Sequence, residues 1–328
     1  MLRIVISIVA AFVVTALAGR VLIPILRRMK AGQSIKEIGP TWHMTKQGTP
    51  TMGGLMFIFG AAVMVAVLGW SDYAQGVMGG VFVFLFALVF GIIGYIDDYF
   101  KVKKHENTGL TAPQKFLLQL AAAVLFTVLL RNFGYLTADL YIPFVNVTFP
   151  VPWPLYMVFA AFVMVGCVNA VNITDGIDGL AAGVTVPVMI FFTAVAVLWG
   201  HYELGIFSGA LLGGLLAFLI YNFHPAKVFM GDTGSLFLGG AVCGLAFGLD
   251  MPLVLILVGI IYIAETLSDI IQVGYFKLTH GKRIFRMAPL HHHLEMGGWS
   301  EVKLVFVFSG ITLLACLLAF WGVMGRWA

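Results

Sequence analysis

The sequence predicts an all-α, polytopic integral membrane protein of about ten transmembrane helices, folded as a single domain over residues 1–328. Three observations predict it. Hydrophobic residues make up 61% of the chain and charged residues 10%, with a mean hydropathy of +1.00, a balance that excludes a water-soluble globular domain. Apolar stretches of about 20 residues, the length that crosses a hydrocarbon core, follow one another along the chain. The lysines and arginines gather in alternate connectors, as expected of helices threaded back and forth through a bilayer.

Read with that ruler, the spans fall near 2–26, 52–70, 77–96, 115–131, 153–171, 179–199, 204–222, 233–250, 252–275 and 302–325. The first imitates a secretory signal through Ala16-Leu17-Ala18, but apolar residues resume from Val21 to Leu26 and further spans follow, so it is expected to remain as an uncleaved helix. The alternating segment Leu140–Phe149, within the 132–152 connector, predicts a short hairpin. Cys167, Cys243 and Cys316 sit inside apolar stretches with no metal-clip spacing and read as packing residues.

An even number of spans puts both termini on one side. Connectors after the first, third, seventh and ninth spans, with their flanks, carry Arg27, Arg28, Lys30, Lys36, Lys46, Lys101, Lys103, Lys104, Lys115, Lys227, Lys277, Lys282, Arg283, Arg286 and Lys303. The opposite connectors carry Arg131 beside Asp72, Asp139, Glu203 and Asp250. The positive-inside rule makes the first group cytoplasmic and both termini non-cytoplasmic, with Arg3 and Arg326 as minor exceptions.

Acids and histidines collect at that cytoplasmic face, where ionisable groups at the edge of hydrocarbon are costly and mark function. Asp97 and Asp98 close the third span. Adjacent carboxylates repel, and a bound cation or a lysine such as Lys115 relieves them; a solvated helix end is the plainer reading. The DDxxD pattern of prenyl-chain synthases fails because position 101 is lysine. Asn172, Asp175 and Asp178 recur at i, i+3 and i+6, one face of a helix if the turn is helical, with Gly176 and Gly179 permitting close approach. In Phe229-Met230-Gly231-Asp232-Thr233-Gly234-Ser235 an acid stands at a helix start, either as a cap or beside free amides that suit phosphate, with Asn222, His224 and Lys227 upstream.

His291, His292 and His293 diverge by about 100° per residue on a helix and lack HExxH spacing, which favours phosphate contacts or proton handling over zinc. Lys46 before Gly48–Gly54 reads as a bend or as a phosphate cradle, without the Walker A order. Glu265, Asp269 and Gln272, at i, i+4 and i+7, are expected to support the site from behind. A transporter would place its acids near the midplane and show repeated halves; these acids crowd one face and no repeat is visible.

The segments TPTMGG (49–54), DDYFK (97–101), NITDGIDGLA (172–181), NFHPAKVFMGDTGS (222–235) and APLHHHLE (288–295) resemble, in this order, the muramoyl-pentapeptide branch of the polyprenyl-phosphate N-acetylhexosamine-1-phosphate transferases. The resemblance covers essentially the whole chain. It implies a Mg²⁺-dependent enzyme of the bacterial inner membrane that moves phospho-MurNAc-pentapeptide from UDP-MurNAc-pentapeptide to undecaprenyl phosphate, releasing UMP. It implies Asp232 as the metal ligand, with Asp97 and Asp98 beside the metal and the lipid phosphate. One of these two acts as base or, in the other route, an aspartate forms a covalent intermediate. It further implies catalytic roles for Lys115, His291 and His292. A nucleotide and substrate pocket of Lys46, Thr51, Asn172, Asp175, Gly176, Asp178, Asn222, Phe229, Gly231 and His293 is likewise implied, with Phe229 stacking on uracil. The expected assembly is a homodimer, and no nucleic-acid partner is implied.

Overall fold

The structure, a computed structural model, describes residues 1–29, 46–104 and 108–326; Lys30 and Lys36 of the basic connectors lie outside them. In chain order the helices are α1 (Leu2–Arg28), α2 (Leu55–Leu68), α3 (Trp70–Tyr73), α4 (Gly79–Lys104), α5 (Ala112–Asn132), α6 (Trp153–Thr174), α7 (Leu180–Leu198), α8 (Tyr202–Asn222), α9 (Gly231–Gly248), α10 (Leu255–Val258), α11 (Ile260–Leu278), α12 (Leu290–Glu295) and α13 (Glu301–Val323). Strands β1 (Asp139–Ile142) and β2 (Val147–Pro150) pair antiparallel, Asp139 opposite Pro150, which is the hairpin expected in that connector.

The chain is a multi-pass membrane protein. Among the described residues seven helices are long and apolar enough to cross a bilayer, and α10 with α11 makes an eighth if that bent pair counts as one span. The other two of the ten expected stretches are also helical: α2 has 14 residues, and α9 opens on the polar run Gly231–Ser235. One expectation needs correcting. The stretch 252–275 is not a single straight helix, because the chain breaks at Gly259 and turns by 80° into α11. Hydropathy records how apolar a segment is and carries no information about its direction.

The helices are layered around α9, in which every residue from Thr233 to Gly248 is buried. Helices α4 and α6 pack on it, α7 and α8 lie next, and α1, α2 and α13 close the outside. Lipid tails are as apolar as leucine, so this packing depends on close van der Waals fit and small residues. Gly94 is the clearest case: a methyl group there would overlap the Asp232 carbonyl, so glycine lets α4 seat directly on the start of α9. That contact sets the distance between the acids of the two helices.

Arg3 and Arg326, the exceptions to the basic connectors, lie far from those acids and each has a carboxylate. Arg3 meets Asp72 at 3.0 Å and Arg326 meets Asp250 at 3.5 Å, beyond the far ends of α2 and α9. Arg3 and Arg326 therefore sit at the end of the bundle opposite the Asp97–Asp232 junction.

Candidate active site

At the α4–α9 junction one oxygen each from Asp97, Asp98 and Asp232 lies within 4.8 Å of the others. Two bare carboxylates at that separation repel by about 3–4 kcal/mol at an effective dielectric near 20. Helix α4 continues past the acid pair, so Lys101 falls one turn beyond Asp97 and reaches Asp97 Oδ2 at 2.6 Å and Asp232 Oδ2 at 3.0 Å. Lys115 reaches the same Asp232 oxygen at 2.8 Å. Its position follows from a capping box at the start of α5, in which Thr111 Oγ1 accepts from the Gln114 amide and Gln114 Oε1 accepts from the Thr111 amide at 3.0 Å. Asn172 Nδ2 donates to Asp232 Oδ1 at 2.8 Å and to Ser235 Oγ at 2.7 Å.

The two neighbouring aspartates are not equivalent. Asp98, only 3% exposed, accepts from the Asp232 amide (3.2 Å), the Thr233 amide (2.9 Å) and the Thr233 hydroxyl (2.7 Å). It thus caps the first turn of α9 from another helix, satisfying orphan amides and fixing Asp232. Asp97 Oδ1 takes one amide, from Leu110 at 2.7 Å, and its other oxygen faces Lys101.

The face proposed for Asn172, Asp175 and Asp178 does not form. Helix α6 ends at Thr174, and Asp175 leaves it at ψ 48°, so the three side chains part company. Asn172 joins Asp232, while Asp178 enters a second cluster. Lys46 Nζ lies 2.8 Å from Asp178 Oδ1 and 2.6 Å from Glu301 Oε2, and His224 Nδ1 lies 3.0 Å from Asp178 Oδ2. The Asp178 amide donates to Glu301 Oε2 at 2.8 Å, tying the turn to the first residue of α13. Asp175 lies between the clusters: burial, then the negative charges of Asp232, Asp98 and Asp178, push its carboxyl up to about 8.

The glycine-rich entry to α2 forms the adjoining wall. The Phe229 amide donates to Pro50 O at 2.8 Å, and the amides of Gly53 and Gly54 donate back to Phe229 O and Met230 O at 2.8 and 3.0 Å. Thr51 is thereby buried beside Gly231 and the ring of Phe229 is half-buried. Asn222, 2% exposed, spends its amide on backbone, accepting from Gly179 N at 3.1 Å and donating to Val228 O at 2.9 Å, and so braces the pocket.

The three histidines do diverge on α12. His291 Nδ1 meets Glu265 at 2.9 Å, His292 Nδ1 meets Glu295 at 2.8 Å, and His293 Nδ1 accepts from the Arg286 amide at 3.1 Å. Glu265 and Gln272 support this loop as expected, Gln272 Oε1 accepting from the amides of Ile284 and Phe285 at 3.2 and 2.9 Å. Sequence reasoning missed Glu301 and the part played by Lys101. Glu301 follows Ser300, whose hydroxyl caps α13, and so reads as an ordinary first-turn acid; the i, i+4 spacing from Asp97 was the available signal for Lys101.

Oxygen donors alone, three carboxylates against two lysines, suit a hard divalent cation such as Mg²⁺. The same lysines suit phosphate oxygens. The class of protein comes from the family model described as Glycosyl transferase family 4, which matches residues 80–250 and so includes Asp97, Asp98 and Asp232 of this cluster. A second model, phospho-N-acetylmuramoyl-pentapeptide-transferase signature 1, matches residues 46–58. The chain is 49% identical to the phospho-N-acetylmuramoyl-pentapeptide-transferase of Clostridium acetobutylicum over 316 residues, 96% of this chain and 97% of that protein. It is 46% identical to the protein of the same name from Staphylococcus carnosus, over 95% of this chain and 97% of the relative. The chain belongs to glycosyl transferase family 4, within its phospho-N-acetylmuramoyl-pentapeptide-transferase branch.

Proposed function

We propose that this chain transfers phospho-MurNAc-pentapeptide from UDP-MurNAc-pentapeptide to undecaprenyl phosphate, giving undecaprenyl-pyrophosphoryl-MurNAc-pentapeptide (lipid I) and UMP in the first membrane step of peptidoglycan synthesis. The observation that carries the reading is the Asp97–Asp98–Asp232 cluster with Lys101 and Lys115 at membrane-helix ends, in a chain whose full-length relatives bear that transferase name.

In the reaction an oxygen of the lipid phosphate attacks the β-phosphorus of the nucleotide sugar, the bond to the bridging oxygen breaks and UMP leaves. Phosphoryl transfer asks mainly for positioning and charge neutralisation. Lys101 and Lys115 offer positive charge on the side of Asp232 where phosphates would gather. Asp97 is the better candidate to take the lipid phosphate proton, because Asp98 already accepts three hydrogen bonds from α9. Asp232 would hold Mg²⁺, with Asp97 beside it; when bound, the ion neutralises developing phosphate charge. Lys46, Thr51, Asn172, Asp175, Gly176, Asp178, Phe229 and Gly231 surround the nucleotide in this reading, with Asn222 and His293 shaping the pocket and His291 and His292 beside the phosphates.

The same reading has ten spans in one catalytic domain, both termini outside, and the site facing the cytoplasm of a bacterial inner membrane. It rests on the lysine and arginine distribution and on the position of Arg3 and Arg326 away from the cluster. A homodimer follows from the family resemblance. Purified chain in detergent with undecaprenyl phosphate tests the donor: UMP release with UDP-MurNAc-pentapeptide and little with UDP-GlcNAc is expected. The converse pattern would reassign the chain to a sibling specificity.

A further inference from the structure

Asp97, which the reading above makes the base, has one of its two oxygens committed to the chain that follows it. The connector after α4 ends in Thr108-Gly109-Leu110-Thr111, whose last residue caps α5. Leu110 packs against the hydrophobic core, and its amide donates to Asp97 Oδ1 at 2.7 Å, a charge-assisted bond that ties the start of α5 back to α4. Gly109 lies directly over that contact. A methyl group there would overlap Asp97 Oδ1, Asp97 Cγ and the Asp97 backbone oxygen, and the last of these cannot swing aside as a side chain can. The backbone itself does not call for glycine at 109, because its φ lies outside the left-handed region. Room over Asp97 is the requirement that glycine meets at this position.

A carboxylate held at one oxygen has its other oxygen aimed. Asp97 Oδ2 meets Lys101 at 2.6 Å, and the same lysine reaches Asp232 Oδ2 at 3.0 Å, so this second oxygen stands among the charged groups of the cluster while the first stays with the turn. The turn also begins the helix that brings Lys115 to Asp232 at 2.8 Å. We infer that Gly109 is a positioning residue for the transfer reaction: by leaving room for the Leu110 amide against Asp97 Oδ1, it holds the carboxylate with Oδ2 turned to Lys101 and Asp232, where the lipid phosphate would meet it. The inference rests on the functional reading above and deepens it, since it gives the turn before α5 a part in orienting the base.

The test combines kinetics with a readout that does not need turnover. Gly109→Ala places a methyl over Asp97 and is expected to lower kcat by about ten- to a hundredfold, while KM for the nucleotide sugar stays within roughly threefold. Wild-type kcat, with or without a lower melting temperature, would make the contact merely structural and overturn the inference, as would a loss confined to KM. Position 110 supplies a second route should Gly109→Ala fold poorly. Leu110→Pro deletes the amide that holds Asp97, whereas Leu110→Ala keeps it and trims only the packing. The proline variant should lose at least about tenfold more kcat than the alanine variant, and equal losses would refute a role for the amide. Without substrates, the Leu110 amide should exchange with solvent deuterium at least about tenfold faster in Gly109→Ala and in Asp97→Ala than in wild type; equal exchange in all three contradicts the proposal. If the wild type turned over no donor, the functional reading would fail while the exchange still decided whether Gly109 holds this amide on Asp97.

Discussion

Asp97, Asp98 and Asp232 offer oxygen alone from two packed helices, whereas Asp178, His224 and Glu301 offer mixed donors from a turn, a loop and a helix start; each trio is close enough to share a cation. In the second trio Lys46 sits between the two carboxylates at 2.8 and 2.6 Å and His224 supplies a nitrogen. In the first trio Lys101 likewise lies between Asp97 and Asp232, at 2.6 and 3.0 Å, and Lys115 adds a second cation at Asp232; both trios keep one more carboxylate than lysines, and they differ in that the first offers oxygen donors alone. The difference teaches how one pocket divides its work. Three carboxylates on two packed helices, with no nitrogen ligand among them, suit a hard cation and phosphate, while the mixed network of Lys46, His224, Asp178 and Glu301 ties a turn, a loop and a helix start together.

The largest effect is expected at the first trio. Asp232→Asn should lower UMP release by about a thousandfold or more with the fold intact, since the shared oxygen loses its charge; activity near wild type would break the contrast. A smaller loss, of a different kind, belongs to the second trio. Glu301→Gln should raise KM for the nucleotide sugar by about tenfold and leave kcat within about threefold, because Lys46 and the Asp178 amide lose the charge they share.

Between the two trios, Asp175 gives a pH signature. Its carboxyl is raised to about 8 by burial and by its acidic neighbours, so from about pH 4 to that value the folded chain holds a proton that the unfolded chain releases. Stability therefore falls as pH rises through that window. Asp175→Asn should melt higher than wild type in the absence of substrates, by a margin that grows across the window and is constant above it; a margin independent of pH would show that the carboxyl is not raised. The smallest effect belongs to the opposite end of the bundle. Asp72→Asn removes one partly exposed pair with Arg3 and should change stability by at most about 1 kcal/mol and turnover by less than about twofold.

The contrast also explains what the sequence made legible. Apolar length, the alternation that runs through β1 and β2 and the acid at the start of α9 are local patterns; the hairpin and the acid appear where they were expected, and the apolar stretches are helical, with the one at 252–275 broken at Gly259. The divergence of the three histidines followed from helical periodicity alone. The break after Thr174 was not legible, because Asn172, Asp175 and Asp178 keep helical spacing whether or not the helix continues. Glu301 and the capping of α9 by Asp98 escaped for another reason. Their partners lie 255 and 134 residues away in the chain, at Lys46 and Asp232, and only the packed bundle brings them together.

The central claim is that the cation belongs to the α4–α9 junction and not to the Lys46 network. Titration of purified protein with Mn²⁺, followed by electron paramagnetic resonance, tests it most directly. The account predicts a bound-ion signal in wild type and Glu301→Gln that is lost in Asp232→Asn; a signal that survives in Asp232→Asn and disappears in Glu301→Gln would contradict it.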